Sequence, residues 1–88
     1  MADRVAVLGA GQMGNGIAHV FAQSGFPVTM IDISDDALAK GRATIEKNLD
    51  RQVKKGTLPA SGKDEVLGRI ATSSDLAAVA DTPLVVEA

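Results

Sequence analysis

Three glycines and one aspartate in this 88-residue sequence have a spacing that suits phosphate and ribose binding. Gly9, Gly11 and Gly14 form a G-x-G-x-x-G pattern directly after the apolar run Val5–Leu8, and Asp32 follows 18 residues after the last glycine. Glycines at this spacing allow a tight turn, a close approach of backbone to a pyrophosphate, and close packing of a helix on a strand. A carboxylate about 20 residues further on accepts hydrogen bonds from the adenosine ribose. The combination predicts a dinucleotide site.

The residues around the aspartate favour NAD over NADP. The carboxylate of Asp32 would repel a 2′-phosphate, and Ile33 and Ser34 follow it where an arginine would be needed to accept that phosphate. Backbone N–H groups at the start of the following helix would hold the cofactor phosphates. The alternative is a glycine-rich turn with a helix-capping aspartate and no ligand. The predicted NAD contacts are Gly9, Ala10, Gly11, Gln12, Met13, Gly14 and Asp32.

The hydrophobic pattern predicts the elements that position these residues. Short apolar runs predict strands, and spacings of three and four predict helices. Their alternation is typical of a Rossmann-type parallel sheet, here partial with about four strands and a projecting helical hairpin. The predicted strands are 4–8, 28–31, 70–72 and 84–87. The first predicted helix starts at 13, and the second runs over 35–55 between Ser34 and Gly56. After a bend at 58–62 a third helix returns over 64–69, and a helical turn or two follows over 75–80.

Two of the predicted helices have side chains of one type aligned along one face. In the first, Met13, Ile17, Val20 and Phe21 form an apolar stripe, and His19 lies off this stripe, which favours a surface or packing role.

The long helix is amphipathic. Its basic residues Lys40, Lys47, Arg51 and Lys54 fall within about 60° of one another, opposite Leu38, Ile45, Leu49 and Val53, with Lys55 at the edge. One interpretation is a solvated face partly compensated by Glu46 and Asp50; the other is an anion-binding surface beside the cofactor cleft. At about 32 Å the helix is longer than a five-residue strand, so it overhangs the sheet, which favours the second interpretation.

Composition excludes several classes of function. With two Phe, no Trp or Tyr and a net charge of −2, the chain is not suited to stack nucleic-acid bases. No apolar run is long enough to span a bilayer. The absence of Cys and the presence of a single His argue against a metal site. We therefore expect a cytoplasmic protein with no metal, nucleic-acid or membrane partner.

Four segments of the sequence resemble the NAD-binding domain of 3-hydroxyacyl-CoA dehydrogenases, and the bacterial 3-hydroxybutyryl-CoA dehydrogenases are the nearest group. The segments are VAVLGAGQMGNGIA at 5–18, the strand that ends in Asp32, the end of the long helix at 54–56, and LVVEA at 84–88. The resemblance implies oxidation of a 3-hydroxyacyl-CoA to the 3-oxoacyl-CoA, or the reverse, with an acyl-CoA substrate. It also implies that Ala88 contacts the cofactor and that Asn48 and Lys55, with the adjacent Lys54, contact CoA. Relatives often have Ser where this chain has Asn48.

The resemblance also implies that these 88 residues are the N-terminal part of a longer enzyme, with the helical arm at about 35–69. The family's catalytic His and its Glu, Ser and Asn partners lie beyond this chain, as does the domain that forms a homodimer. We therefore expect no catalytic residue and no turnover here. A related hydroxy-acid dehydrogenase, a non-catalytic NAD or adenine-nucleotide module, and a flavin-binding domain remain alternatives.

Overall fold

The computed structural model describes residues 4–75, 77, 82 and 84–87. Strands and helices alternate along the chain, and the long connection between the second and third strands holds two helices. The elements are β1 (Val5–Leu8), α1 (Gln12–Gln23), β2 (Val28–Ile31), α2 (Asp35–Lys55), α3 (Ala60–Gly68), β3 (Ile70–Ser73) and β4 (Leu84–Glu87). Most of the predicted turn over 75–80 lies outside the described residues.

The four strands form one parallel sheet in the order β3-β2-β1-β4, which confirms the predicted α/β class. In the centre of the sheet, Val7 of β1 pairs with Met30 of β2 on one side and with Val86 of β4 on the other. The chain moves outward from β1 to β3 and then returns to the opposite side of β1. Ligands of open α/β sheets bind at such a reversal, beyond the carboxyl ends of the strands. The glycine-rich segment follows β1 at this point.

The long helix α2 and the shorter α3 form the predicted antiparallel hairpin. The side chain of Ser34 accepts a hydrogen bond from the Ala37 N–H at the start of α2, and Gly56 ends the helix. Lys63 of α3 forms ion pairs with Asp50 at 2.6 Å and Glu46 at 3.8 Å. These contacts hold the two helices together.

The bend between the two helices is shorter than predicted. Helix α3 begins at Ala60, four residues before its predicted start, because Pro59 takes the N-cap position with extended backbone. Proline is compatible with the first positions of a helix, where its missing N–H has no partner to lose. Residues 60–62, assigned to the bend from the sequence, are therefore helical.

The apolar stripe of α1 is only partly buried, since Ile17 and Phe21 are half-buried and pack against the core. Met13 and Val20 are 70% and 65% exposed. The buried face consists of smaller and polar residues: Gly14, Asn15, Ala18, His19 and Ala22. Glycine and alanine at this face let the helix axis lie close to the sheet, which longer side chains would prevent.

His19 lies on this buried face and is only 8% exposed. Its Nε2 atom is 2.8 Å from the Gln23 side-chain oxygen and 3.3 Å from the Gln52 side-chain nitrogen of α2. The histidine therefore has a packing role and links α1 to α2. A packing role is one of the two roles expected from the sequence, although His19 lies off the apolar stripe.

The core lies between the sheet and the helices, and its largest fully buried members include Met30 of β2 and Ile45 and Leu49 of α2. Burial of the predicted apolar stripe of α2 fixes which face of this helix points to solvent. Within the described residues, no helix combines the length and the apolar character needed to cross a bilayer.

Candidate functional site

The first part of the site is the turn that leaves β1. Gly9 directly follows β1, and its N–H donates to the Ile31 carbonyl of β2 at 2.7 Å. The φ of Gly9 is 97°. This left-handed region is accessible to glycine at little cost and disfavoured for residues with a Cβ. The chain then reverses direction and reaches Gly11, which is the N-cap of α1 with extended backbone. The turn thus places the start of α1 at the carboxyl end of β1.

The start of α1 is suited to hold an anion. Gly11 offers no side-chain cap, and the first turn of α1 has no acidic residue. A Cβ at Gly11 would meet no described atom within 4 Å, so the space in front of the helix is open. The N–H groups of the first helical turn and the helix dipole together favour a negatively charged group there. A dinucleotide diphosphate fits this position.

Asp32 connects the end of β2 to the glycine-rich turn. Its Oδ1 accepts the Ser34 N–H at 2.9 Å, and its Oδ2 accepts the buried Ala10 N–H at 3.0 Å. These two hydrogen bonds lower the pKa of the Asp32 carboxyl below its ordinary value, and the bond from Ser34 has the larger effect. Desolvation raises the pKa by a smaller amount. The carboxylate is therefore ionised at neutral pH. Each oxygen retains lone-pair capacity for a ribose hydroxyl.

Two further residues position the turn, and the sequence interpretation did not single them out. Asn15 is 7% exposed, and its side-chain amide donates to the Gly11 carbonyl at 2.9 Å. Gly41 lies where α2 passes the turn, and a Cβ there would lie 2.7 Å from the Ala10 carbonyl oxygen. A polar residue four positions after an N-cap glycine is a signal for the first contact. Nothing local in the sequence indicates the second, because it joins segments 31 residues apart.

The predicted CoA residues lie on α2, away from the turn. Lys54 and Lys55 are exposed at the end of the helix, and Asn48 is half-buried. From Gly41 beside the turn to Lys55 the helix rises about 21 Å. The structure therefore brings the predicted residues 9–14 and Asp32 together and places the CoA residues at a separate position. Ala88 lies outside the described residues.

The basic stripe of α2 is exposed along its length: Lys40, Lys47, Arg51 and Lys54 are all solvent-accessible. Glu46 and Asp50, which the sequence offered as compensating charges, instead pair with Lys63 of α3. Among the described residues, no ion pair to a side chain of this stripe is formed. The stripe is therefore an exposed cationic face, and the compensation expected from Glu46 and Asp50 is reduced because both pair with Lys63.

Comparison with known proteins places this site in a family. The sequence profile of the family described as "3-hydroxyacyl-CoA dehydrogenase, NAD binding domain" matches residues 4–88. A 3-hydroxybutyryl-CoA dehydrogenase of Bradyrhizobium diazoefficiens is 50% identical over 84 residues, which cover 96% of this chain and 29% of that protein. A probable 3-hydroxybutyryl-CoA dehydrogenase of Deinococcus radiodurans is 50% identical over 82 residues, which cover 93% and 29%.

A solved structure gives the same result. The crystal structure of (S)-3-hydroxybutyryl-CoA dehydrogenase from Ralstonia eutropha superposes with a TM-score of 0.95 at 43% identity, covering 100% of this chain and 31% of that one. The chain spans less than a third of the length of each of these relatives. The profile match, the sequence identities and the superposition agree with the geometry of the turn and Asp32. The chain therefore belongs to the 3-hydroxyacyl-CoA dehydrogenase family, and residues 4–88 match the NAD-binding domain of that family.

Proposed function

We propose that this chain provides the NAD site and part of the CoA site of an NAD-dependent enzyme that oxidises a 3-hydroxyacyl-CoA to the 3-oxoacyl-CoA, or catalyses the reverse reduction. The observation that carries the proposal is the hydrogen bond from the Ala10 N–H to Asp32 Oδ2, because it joins the diphosphate-binding turn and the ribose-binding carboxylate into one unit. Relatives named as 3-hydroxybutyryl-CoA dehydrogenases support the substrate class.

In this proposal, backbone contributes most of the cofactor contacts. The segment Gly9 to Gly14 surrounds the diphosphate, with Gly11, Gln12 and Met13 at the start of α1. Asp32 accepts hydrogen bonds from the adenosine ribose hydroxyls, and its orientation is fixed in advance by its two backbone donors. Its negative charge disfavours the 2′-phosphate of NADP. Ala88, which lies outside the described residues, is a further proposed cofactor contact.

The CoA contacts in this proposal are Asn48, Lys54 and Lys55. Asn48 and Lys55 are seven residues apart, which places them within about 20° of each other on α2, whereas Lys54 points about 100° away from Lys55. A phosphate of CoA bound by Asn48 and Lys55 therefore contacts Lys54 less directly. We expect Lys55→Ala to weaken CoA binding more than Lys54→Ala.

In this proposal, the described residues bind and orient the cofactor and the substrate. NAD, when bound, supplies the hydride acceptor for the oxidation. The alcohol proton requires a base, and the single histidine of the chain is buried and hydrogen-bonded between Gln23 and Gln52. We assign proton transfer to residues outside these 88, and we propose that the whole enzyme is a cytoplasmic homodimer.

Calorimetric titration of the purified protein with NADH and NADPH tests the proposal. We expect tighter binding of NADH, and we expect Asp32→Ala to weaken NADH binding and remove the preference. Glu65→Ala is the matched control, because Glu65 is an exposed acidic residue on α3 that does not belong to the proposed site. Equal affinity of the unmodified protein for both cofactors would overturn the assignment of Asp32. A bound flavin in the absorbance spectrum would overturn the assignment of NAD.

A further inference from the structure

A surface pocket lies between the start of α1 and the side of α2. Its volume is about 450 Å³, and its polar lining residues are Gln12, Asn15, Lys40 and Thr44. The pocket forms because Gly41 lets α2 pass within contact of the Ala10 carbonyl oxygen. Ala10, Gly11 and Gln12 line the other wall, so the pocket includes the anion-binding start of α1.

Lys40 supplies the positive charge of this pocket. It is exposed, and no described carboxylate lies within ion-pair distance of it, Asp36 one helical turn earlier included. Two of the other polar side chains already donate hydrogen bonds to backbone. The Thr44 hydroxyl already donates to the Lys40 carbonyl at 2.9 Å, and the Asn15 amide donates to the Gly11 carbonyl. Among the described residues that line this pocket, Lys40 is the one cation.

Negatively charged side chains at the end of β2 and the start of α2 increase the effect expected of the positive charge on Lys40. Asp32 is ionised, and Asp35 and Asp36 occupy the first turn of α2. Negative side chains at the start of α2 disfavour a doubly charged diphosphate, while a helix N-terminus contributes only about half a positive charge. A cation on the opposite wall offsets this repulsion.

We propose that this pocket binds a diphosphate group between the first turn of α1 and Lys40, and that Lys40 is a cofactor-binding residue in addition to the glycine-rich turn and Asp32. The inference rests on the proposed NAD site. Both NAD and CoA contain a diphosphate, and the presence of Gly11 and Gln12 in the wall favours that of NAD. Because the contact is electrostatic and solvent-exposed, its contribution to binding falls as salt screens it.

Titration calorimetry of Lys40→Ala and Lys47→Ala with NADH, ADP-ribose and CoA tests the inference. Lys47 is the matched control, since it is an exposed lysine on nearly the same side of α2, lies about two helical turns after Lys40, and does not line the pocket. We expect Lys40→Ala to weaken NADH and ADP-ribose about fivefold at low salt, with Lys47→Ala close to the unmodified protein. The loss should shrink in 0.5 M NaCl.

The outcomes separate this inference from the proposed function. If the unmodified protein binds no NADH, the proposed NAD site fails. If it binds NADH with an Asp32-dependent preference and Lys40→Ala behaves like Lys47→Ala, only the inference fails. A loss for CoA without a loss for NADH and ADP-ribose overturns the assignment to NAD. Thermal unfolding should be unchanged in both variants, because both side chains are exposed.

Discussion

Substitution of Gly41 by alanine tests the contact that holds α2 against the glycine-rich turn. The added Cβ would lie 2.7 Å from the Ala10 carbonyl oxygen, about 0.7 Å inside the 3.4 Å at which ordinary contact begins. The obstructing atom belongs to backbone, so a rotamer change does not relieve the overlap. Either α2 moves away or the turn moves toward the space used by the cofactor.

The expected magnitude follows from two opposing effects. Replacing a helical glycine by alanine stabilises by about 0.5–1 kcal/mol through lower backbone entropy. Overpacking of a close contact costs about 1–3 kcal/mol. Gly16→Ala is the matched control, because Gly16 is also helical and a Cβ there meets no described atom within 4 Å. We therefore expect the two alanine variants to differ by about 2 kcal/mol, with Gly16→Ala the more stable.

Thermal unfolding and NADH titration measure the two consequences. For a domain of this size, 2 kcal/mol corresponds to a difference in Tm of about 8–16 °C. NADH binding should also weaken in Gly41→Ala, because Ala10 donates to Asp32 and a shift of the turn disturbs both. If Gly41→Ala unfolds at or above the temperature of Gly16→Ala, the close approach of α2 to the turn is wrong, and with it the origin of the pocket.

Three further predictions concern pH, packing and catalysis. The pKa of the Asp32 carboxyl is lowered from 3.8, so its contribution to stability is present above that pH and is lost as the pH falls through the lowered value. In an acid titration, Asp32→Asn should therefore lose less stability below about pH 4 than the unmodified protein. Arg42 donates to the Ile70 carbonyl at 2.8 Å and to the Leu67 carbonyl at 3.4 Å; Arg42→Met should lower the free energy of unfolding by about 1–2 kcal/mol in urea denaturation, and an unchanged midpoint would contradict this role. The 88 residues alone should not turn over acetoacetyl-CoA with NADH, and measurable turnover would place a proton-transfer residue within them.

The boundaries of α2 are predictable from sequence because strong local signals mark both ends. Ser34 caps the start through its side chain, and Gly56 ends the helix with a φ of 78°. The buried face of α1 is only partly predictable from hydrophobicity, since Ile17 and Phe21 of the apolar stripe pack against the core. Met13 and Val20 are exposed, and alanines pack on the sheet instead. The distance between α1 and the sheet decides which side chains are buried, and this distance cannot be read from the amino-acid composition of the helix.

The candidate site shows the same division. The glycine spacing and Asp32 are local patterns, and the structure brings them together. The two backbone bonds that orient the Asp32 carboxylate depend on the final path of the turn. The pairing of Asp50 and Glu46 with Lys63 depends on α3 returning beside α2, which leaves the basic stripe without the partners that its own helix offered.

Mapping NADH onto the isotopically labelled protein by NMR tests the central claim most directly. The chemical-shift changes of the backbone amides report which segments the cofactor contacts. We predict that the largest changes fall at residues 9–14 and 32–34, with a smaller group in α2 near Lys40. Changes confined to the far end of α2 around Lys55, or no saturable change at all, would contradict an NAD site formed by the glycine-rich turn and Asp32.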